Sequence, residues 1–143
     1  MKLVWGADIV PFVVAMCGLA RDFGECRTAG VFDKNDQLAA GLVFHEWNPD
    51  GGTMELSAAA CNPAWTQRDV LREAFGYVFS HCQMAVARTS VENRPVRRLW
   101  KAFGASEFVI PRLLGRHADG VIYTLTDDAW NSSKFMRQNN GKV

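Results

Sequence analysis

The 143 residues suit one domain, a length at which folding buries about two-thirds of the surface the unfolded chain exposes. Sixteen Lys and Arg against fifteen Asp and Glu leave a net charge of +1. That balance provides no global field for nucleic acid or an anionic membrane, so any anion site must be local. Cys17, Cys26, Cys61 and Cys82 are widely spaced, as are His45, His81 and His117, with no C-x-x-C and no paired metal spacing. The pattern predicts reduced thiols in a cytoplasmic protein, not a disulfide framework or a metal site.

Leu3 to Ala20 is apolar apart from Asp8 and follows Met1-Lys2 as a signal sequence would. Asp8 and Pro11 interrupt it, however, and the unbroken run falls short of the ~20 residues that span a bilayer. The segment is therefore expected to form a short strand, Lys2 to Trp5, and a buried helix, Asp8 to Arg21. Asp8 would be its N-cap, with Pro11 in the first turn. No membrane association is expected.

Arg27 to Phe32 and Leu38 to Trp47 are β-rich runs flanking the turn Asp33-Lys34-Asn35-Asp36. Asn48-Pro49-Asp50-Gly51-Gly52 is a second turn. Thr53 to Cys61 then alternates, with Met54, Leu56, Ala58 and Ala60 on one face and Glu55, Ser57, Ala59 and Cys61 on the other. These three strands are predicted to form an antiparallel meander.

From Thr66 to His81 the period becomes helical, through Val70, Leu71, Ala74, Phe75 and Val78. Met84 to Val91 reads as a strand and Asn93 to Phe103 as a helix. That helix buries Val96, Leu99, Trp100 and Phe103, covers its rest with Arg94, Arg97, Arg98 and Lys101, and stops at Gly104. Glu107 to Ile110 and Val121 to Leu125 are closing strands. One domain over residues 1–130 is expected, followed by a polar tail, 131–143, that frays.

The strand, helix and strand between Thr53 and Val91 form a β-α-β unit, which implies two parallel neighbours and a right-handed crossover. The fold class is thus α/β, a mixed, mostly antiparallel sheet with helices on both faces. Ligands of such sheets bind at the carboxyl ends of parallel strands beside a helix N-terminus, here Ala58 to Arg68. Small residues at Ala58-Ala59-Ala60-Cys61 would let a ligand lie close to backbone, or simply let a helix pack near the sheet. The amides opening the next helix attract an anion, helped by Arg68 or Arg72. Against this, Thr66-x-x-Asp69 is also a capping box that would fill those amides. Glu55 could take a proton from an attacking amine, or merely face solvent; Glu46 is a weaker candidate for the same role. The Arg94, Arg97, Arg98 and Lys101 face has no interleaved aromatics for stacking bases, so no nucleic-acid partner is expected.

Three stretches resemble the GNAT N-acetyltransferases, in particular small GNAT-like proteins encoded by phages and prophages. Thr28-Ala29-Gly30-Val31-Phe32-Asp33 leading to Leu38-Ala39-Ala40-Gly41-Leu42-Val43-Phe44-His45 resembles the central hairpin. Ala64-Trp65-Thr66-Gln67-Arg68 through Phe75-Gly76-Tyr77-Val78-Phe79 resembles the cofactor helix. Ser90-Val91-Glu92-Asn93-Arg94-Pro95 through Phe103-Gly104-Ala105 resembles the Asn-started helix. Their order and spacing cover the chain to about Trp130.

The resemblance implies acetyl-CoA as co-substrate between one splayed, parallel strand pair, and an amine acceptor. The pantetheine arm would pair with backbone from Leu56, Ser57 and Ala58 to Ala60. The pyrophosphate would sit near Gln67, Arg68, Asp69 and Val70, and Asn93 would position the arm. Glu55 becomes the preferred general base. A homodimer is compatible with this likeness, and a phage origin would place the protein in the host cytoplasm or a virion. Two departures stand out. Residues 62–71 contain no glycine, and Trp100 occupies the place of a thiolate-protonating tyrosine, a task indole cannot perform. Both favour the alternative of an inactive GNAT-fold structural or interaction protein, such as a virion component or host-protein inhibitor.

Overall fold

A computed structural model describes residues 1–137. Seven strands form one sheet, in the order β1-β2-β3-β4-β5-β7-β6. They are β1 (Lys2–Trp5), β2 (Cys26–Phe32), β3 (Leu38–Asn48), β4 (Thr53–Ala60), β5 (Met84–Ser90), β6 (Ser106–Gly115) and β7 (Ala118–Thr126). All neighbours are antiparallel except β4 and β5. Four helices complete the fold: α1 (Val10–Cys17), α2 (Arg68–His81), α3 (Arg94–Phe103) and α4 (Asp127–Asn131). The mixed sheet, the meander and the crossover are as the sequence predicts.

The two sheet faces are covered unequally. On one face α2 and α3 bury Ala29, Val31, Leu42, Phe44, Met54, Leu56, Ala85, Tyr123 and Leu125 in the main core. Phe75 of α2 anchors it, its ring 4.5 Å from Trp130 and 5.1 Å from Phe103. On the other face α1 packs mainly on β3 and β4, with Ile9 and Val13 against Val43. Gly41 permits that approach, since a Cβ there would lie 2.9 Å from Val13 Cγ2.

Several expectations need correction. Helix α1 spans eight residues, not Asp8 to Arg21. Its N-cap is Ile9, with no side-chain cap, and Gly18 ends it in the left-handed region at φ 65°. A 3-10 turn, Pro63–Trp65, precedes α2, so α2 starts at Arg68 and not at Thr66. The Thr66–Asp69 capping box does not form, because the Thr66 hydroxyl donates to Pro63 O and Asp69 Oδ1 accepts from Val70 N. Strand β6 runs on past Ile110 through Pro111, tolerated because β6 is the sheet edge. Residues 131–137, expected to fray, pack against the core through Phe135 and Met136; the rest of the predicted tail lies outside the described residues.

Candidate functional site

Strands β4 and β5 pair only at Thr53↔Met84, Met54↔Ala85 and Glu55↔Val86. Beyond that point β4 stays with β3 as far as Ala40↔Ala60, and β5 stays with β7 as far as Ser90↔Gly120. The sheet therefore splits after Glu55, and Leu56 to Ala60 face a gap. Ala58 shares its sheet face with buried Leu42 and Leu56, yet Ala58 and Ala60 are exposed. The helical layer is open above them.

Glu55 sits at the vertex, on the α1 face, in a cleft of about 460 Å³ lined by His45, Glu46, Thr53, Met54, Val86 and Arg88. Its side chain is 17% exposed, and Oε2 lies 3.4 Å from Arg88 Nε and 4.0 Å from His45 Nε2. His45 Nε2 is also 2.8 Å from Ser57 Oγ. Burial holds His45 below the ordinary histidine range, although the carboxylates of Glu55 and Glu46 pull the other way. Glu46 occupies the left-handed region, φ 52°, within the irregularity between His45 and Asn48 that lets 45 face 55.

The other residues singled out from sequence lie on three elements around the gap. Leu56, Ser57, Ala58 and Ala60 line it from β4. Gln67 is the backbone N-cap of α2, and its Oε1 accepts from the Met1 ammonium at 3.3 Å. The first helical bond of α2 is Leu71 N to Gln67 O, which leaves the N–H groups of Arg68 and Asp69 unpartnered among the described residues. Val70 is core. Arg68 turns away from that opening: its guanidinium donates to Lys134 O and Arg137 O, while Arg72 donates to Phe135 O and Arg137 O. Asn93 caps α3, accepting from Val96 N, and its Nδ2 donates to Thr89 Oγ1 at 3.1 Å.

Trp100 is buried, stacked on Tyr123 and edge-on to Phe75. Tyr123 donates to Glu107 Oε2 at 2.5 Å; burial first, then this bond, pushes the phenol up to about 12. It is sealed in the core and does not face the cleft. Sequence reasoning did not single out Arg88 or His45 for the site, and it named Ser57 only as backbone for the pantetheine arm, not for the side-chain contact with His45. Counting back from the Asn48–Gly52 turn, with one bulge, would have set 45 opposite 55.

No family model and no curated protein matches the sequence. Solved structures do share its fold. Mutant spermidine/spermine N-acetyltransferase SpeG from Vibrio cholerae superposes with TM-score 0.71 at 16% identity, over 90% of this chain and 97% of that one. A GCN5-related N-acetyltransferase from Brucella melitensis gives TM-score 0.63 at 21% identity, over 78% and 55%. A putative phosphinothricin N-acetyltransferase gives 0.58 at 19% identity, over 71% of each. The chain has the fold of the GNAT N-acetyltransferases.

Proposed function

We propose that this protein is an N-acetyltransferase that uses acetyl-CoA and acetylates an amine with Glu55 as general base. The observation that carries the reading is the split between β4 and β5 immediately past Glu55↔Val86, which sets a carboxylate at the mouth of an open strand gap. Exposed Ala58 and Ala60 leave room for a narrow chain against the β4 backbone, and the N-terminus of α2 follows directly. Leu56, Ser57, Ala58 and Ala60 would hold the pantetheine arm, and the amides of Arg68 and Asp69 the pyrophosphate. The Arg68 side chain is spent on the C-terminal segment, so backbone carries that contact. Acetyl-CoA supplies a thioester carbonyl and a thiolate that departs without an acid, its pKa being near ~8.5.

An amine arrives at neutral pH as an ammonium. With His45 neutral, Glu46 and Glu55 against Arg88 give the cleft a net negative charge, which suits a cationic acceptor. Two of the structural relatives are named for spermidine or phosphinothricin acetylation, and a polyamine fits this charge better than an anionic acceptor. Glu55 would take the ammonium proton and free the nitrogen lone pair for attack. A cytoplasmic setting follows from a cytoplasmic co-substrate; among the described residues no helix is long and apolar enough to cross a membrane.

One observation favours a second reading, the non-catalytic interaction module of a phage: both Arg68 and Arg72 are engaged by main-chain carbonyls. The two readings separate on Glu55→Gln and acetyl-CoA. Under the enzyme reading the wild type acetylates spermidine, and Glu55→Gln lowers kcat by about 10²-fold or more while acetyl-CoA affinity holds. Absence of saturable acetyl-CoA binding in calorimetry leaves the interaction module.

A further inference from the structure

Acetyl transfer from a thioester to an ammonium balances only if nitrogen gives up two protons. One must leave before attack, exposing the lone pair that forms the N–C bond. The second leaves once nitrogen has bonded to carbon and become positive. As the C–S bond breaks, its electron pair goes to sulfur; the thiolate takes up one proton and the other reaches solvent. A single carboxylate holds one proton at a time, so a site with Glu55 alone must discharge in mid-cycle.

We propose that His45 is the second proton acceptor of this cleft, receiving through Nε2 the proton that Glu55 collects from the amine. The inference rests on the acetyl-transfer reading above. The two groups lie opposite each other across β3 and β4, with Oε2 and Nε2 4.0 Å apart. That separation is too long for a hydrogen bond and suits transfer through one water. Nε2 lies 2.8 Å from Ser57 Oγ, whose hydroxyl donates to it in the Nδ1–H tautomer and turns to accept once Nε2 takes the proton, and the ring lies 4.8 Å from the Phe23 ring. Nδ1 has no partner among the described residues, yet it is not a sealed, unsatisfied atom, a condition met there only by Ser133 Oγ. A ring that gains a proton on Nε2 can release the other from Nδ1, so the imidazole can pass charge from Glu55 onward. The groups facing the ring are Cys26, its register partner on β2, with Asp22 beyond it; Glu55 and Ser57 on β4; Arg88 on β5; and Glu46 beside it on β3. Burial outweighs the two carboxylates and keeps the imidazole neutral at pH 7, ready to accept. Exposed Arg88, paired to Glu55, opposes lasting positive charge on the ring, so the proton passes on.

A merely structural His45 would tie β3 to β4 through Ser57, and His45→Gln retains that hydrogen bond while losing the ability to take a proton. The test compares wild type and His45→Gln with spermidine and acetyl-CoA from about pH 5 to 9, alongside ring NMR titration of His45 in the free wild type. Expected are a fall in kcat of about 100-fold, an unchanged acetyl-CoA KM, and loss of the acid limb of the wild-type kcat/KM profile. The midpoint of that limb should match the His45 titration, which should move further down in Glu55→Gln as a favourable charge is removed. Wild-type kcat and pH profile in His45→Gln overturn the relay and leave the acetyltransferase intact. If that variant does not fold, a wild-type His45 midpoint that misses the acid limb overturns it equally. A wild type that acetylates no amine overturns both readings.

Discussion

Ala58→Phe tests the open strand gap without touching a buried group. Ala58 lies past the last β4–β5 pair, on the α2 side of the sheet but exposed, and its carbonyl already accepts the Cys17 thiol at 3.7 Å. An aromatic side chain there meets no helix, so folding stability should move by no more than about 0.5 kcal/mol. Ligand binding should behave differently, because the ring would occupy the space in which the pantetheine arm is proposed to lie. Acetyl-CoA at 100-fold excess over Kd stabilises a native state by about 2.7 kcal/mol. For a domain of this size one kcal/mol is worth about 3–4 °C in Tm, so wild type should gain about 8–11 °C. Ala58→Phe should melt within about 2 °C of wild type in buffer, the thermal equivalent of that small change. With acetyl-CoA it should show almost no rise. Differential scanning fluorimetry with and without the ligand reads both quantities. A wild-type-sized rise in the variant would refute the placement of the arm between β4 and β5, even if enzyme activity were found.

Two further predictions concern the scaffold around the site. Gly41→Ala places a Cβ 2.9 Å from Val13 Cγ2 and 3.2 Å from Ile9 Cβ, so α1 must shift off β3; chemical denaturation should show a loss of about 1–3 kcal/mol. Glu107 contributes to stability in the acid range: the Tyr123 hydroxyl, then Arg97, hold its carboxyl down at about 2 against an ordinary 4.5. Its contribution is complete above pH 4.5 and fades as pH falls toward 2, whereas the raised Tyr123 contributes below pH 10 and is lost as pH rises toward 12. Glu107→Gln should therefore flatten the acid limb of Tm against pH between 4.5 and 2; an unaltered limb would show that Glu107 is not its source.

The elements that turn chemistry defines were legible in the sequence. Asp33 accepts from the amides of Asn35 and Gln37, and Asn48 from those of Asp50 and Gly51, so both hairpins of the meander are written locally. Gly104 and Asn93 likewise mark the ends of α3. Most of what failed was decided by tertiary contact. Helix α1 is mostly apolar in every direction and carries no polar stripe to mark its start at Val10; its end at Gly18 is a left-handed cap like Gly104, a local signal that the expected helix to Arg21 overran. Residues 131–137 read as polar, but Phe135 packs on Phe103 and Trp130, Met136 joins the core, and the α2 arginines bind the main-chain carbonyls of Lys134, Phe135 and Arg137. The site divides the same way. Glu55 stood out as a charge on a strand leading to small residues, while His45 gained meaning only through a bulge that sets cross-strand register, which composition does not encode.

The gap itself follows from how the sheet is assembled. The β1–β4 meander and the β5–β7–β6 set are each antiparallel and laced along their lengths, so each twists as a unit. They are joined edge to edge by three parallel pairs, and parallel pairing is the weaker per residue. Where the two twists diverge, the weaker seam opens first, and it opens beside Glu55. Helix α2, the crossover that makes this seam parallel, also starts at its open end, so its N-terminal amides come to the same place. An opening of this kind needs no strained loop: the seam, the carboxylate at its vertex and the helix start beside it all follow from one right-handed β-α-β connection between two antiparallel units. Lengthening the seam should close it. Chain variants that extend β4–β5 pairing past Glu55↔Val86 would then gain stability and lose acetyl-CoA binding together.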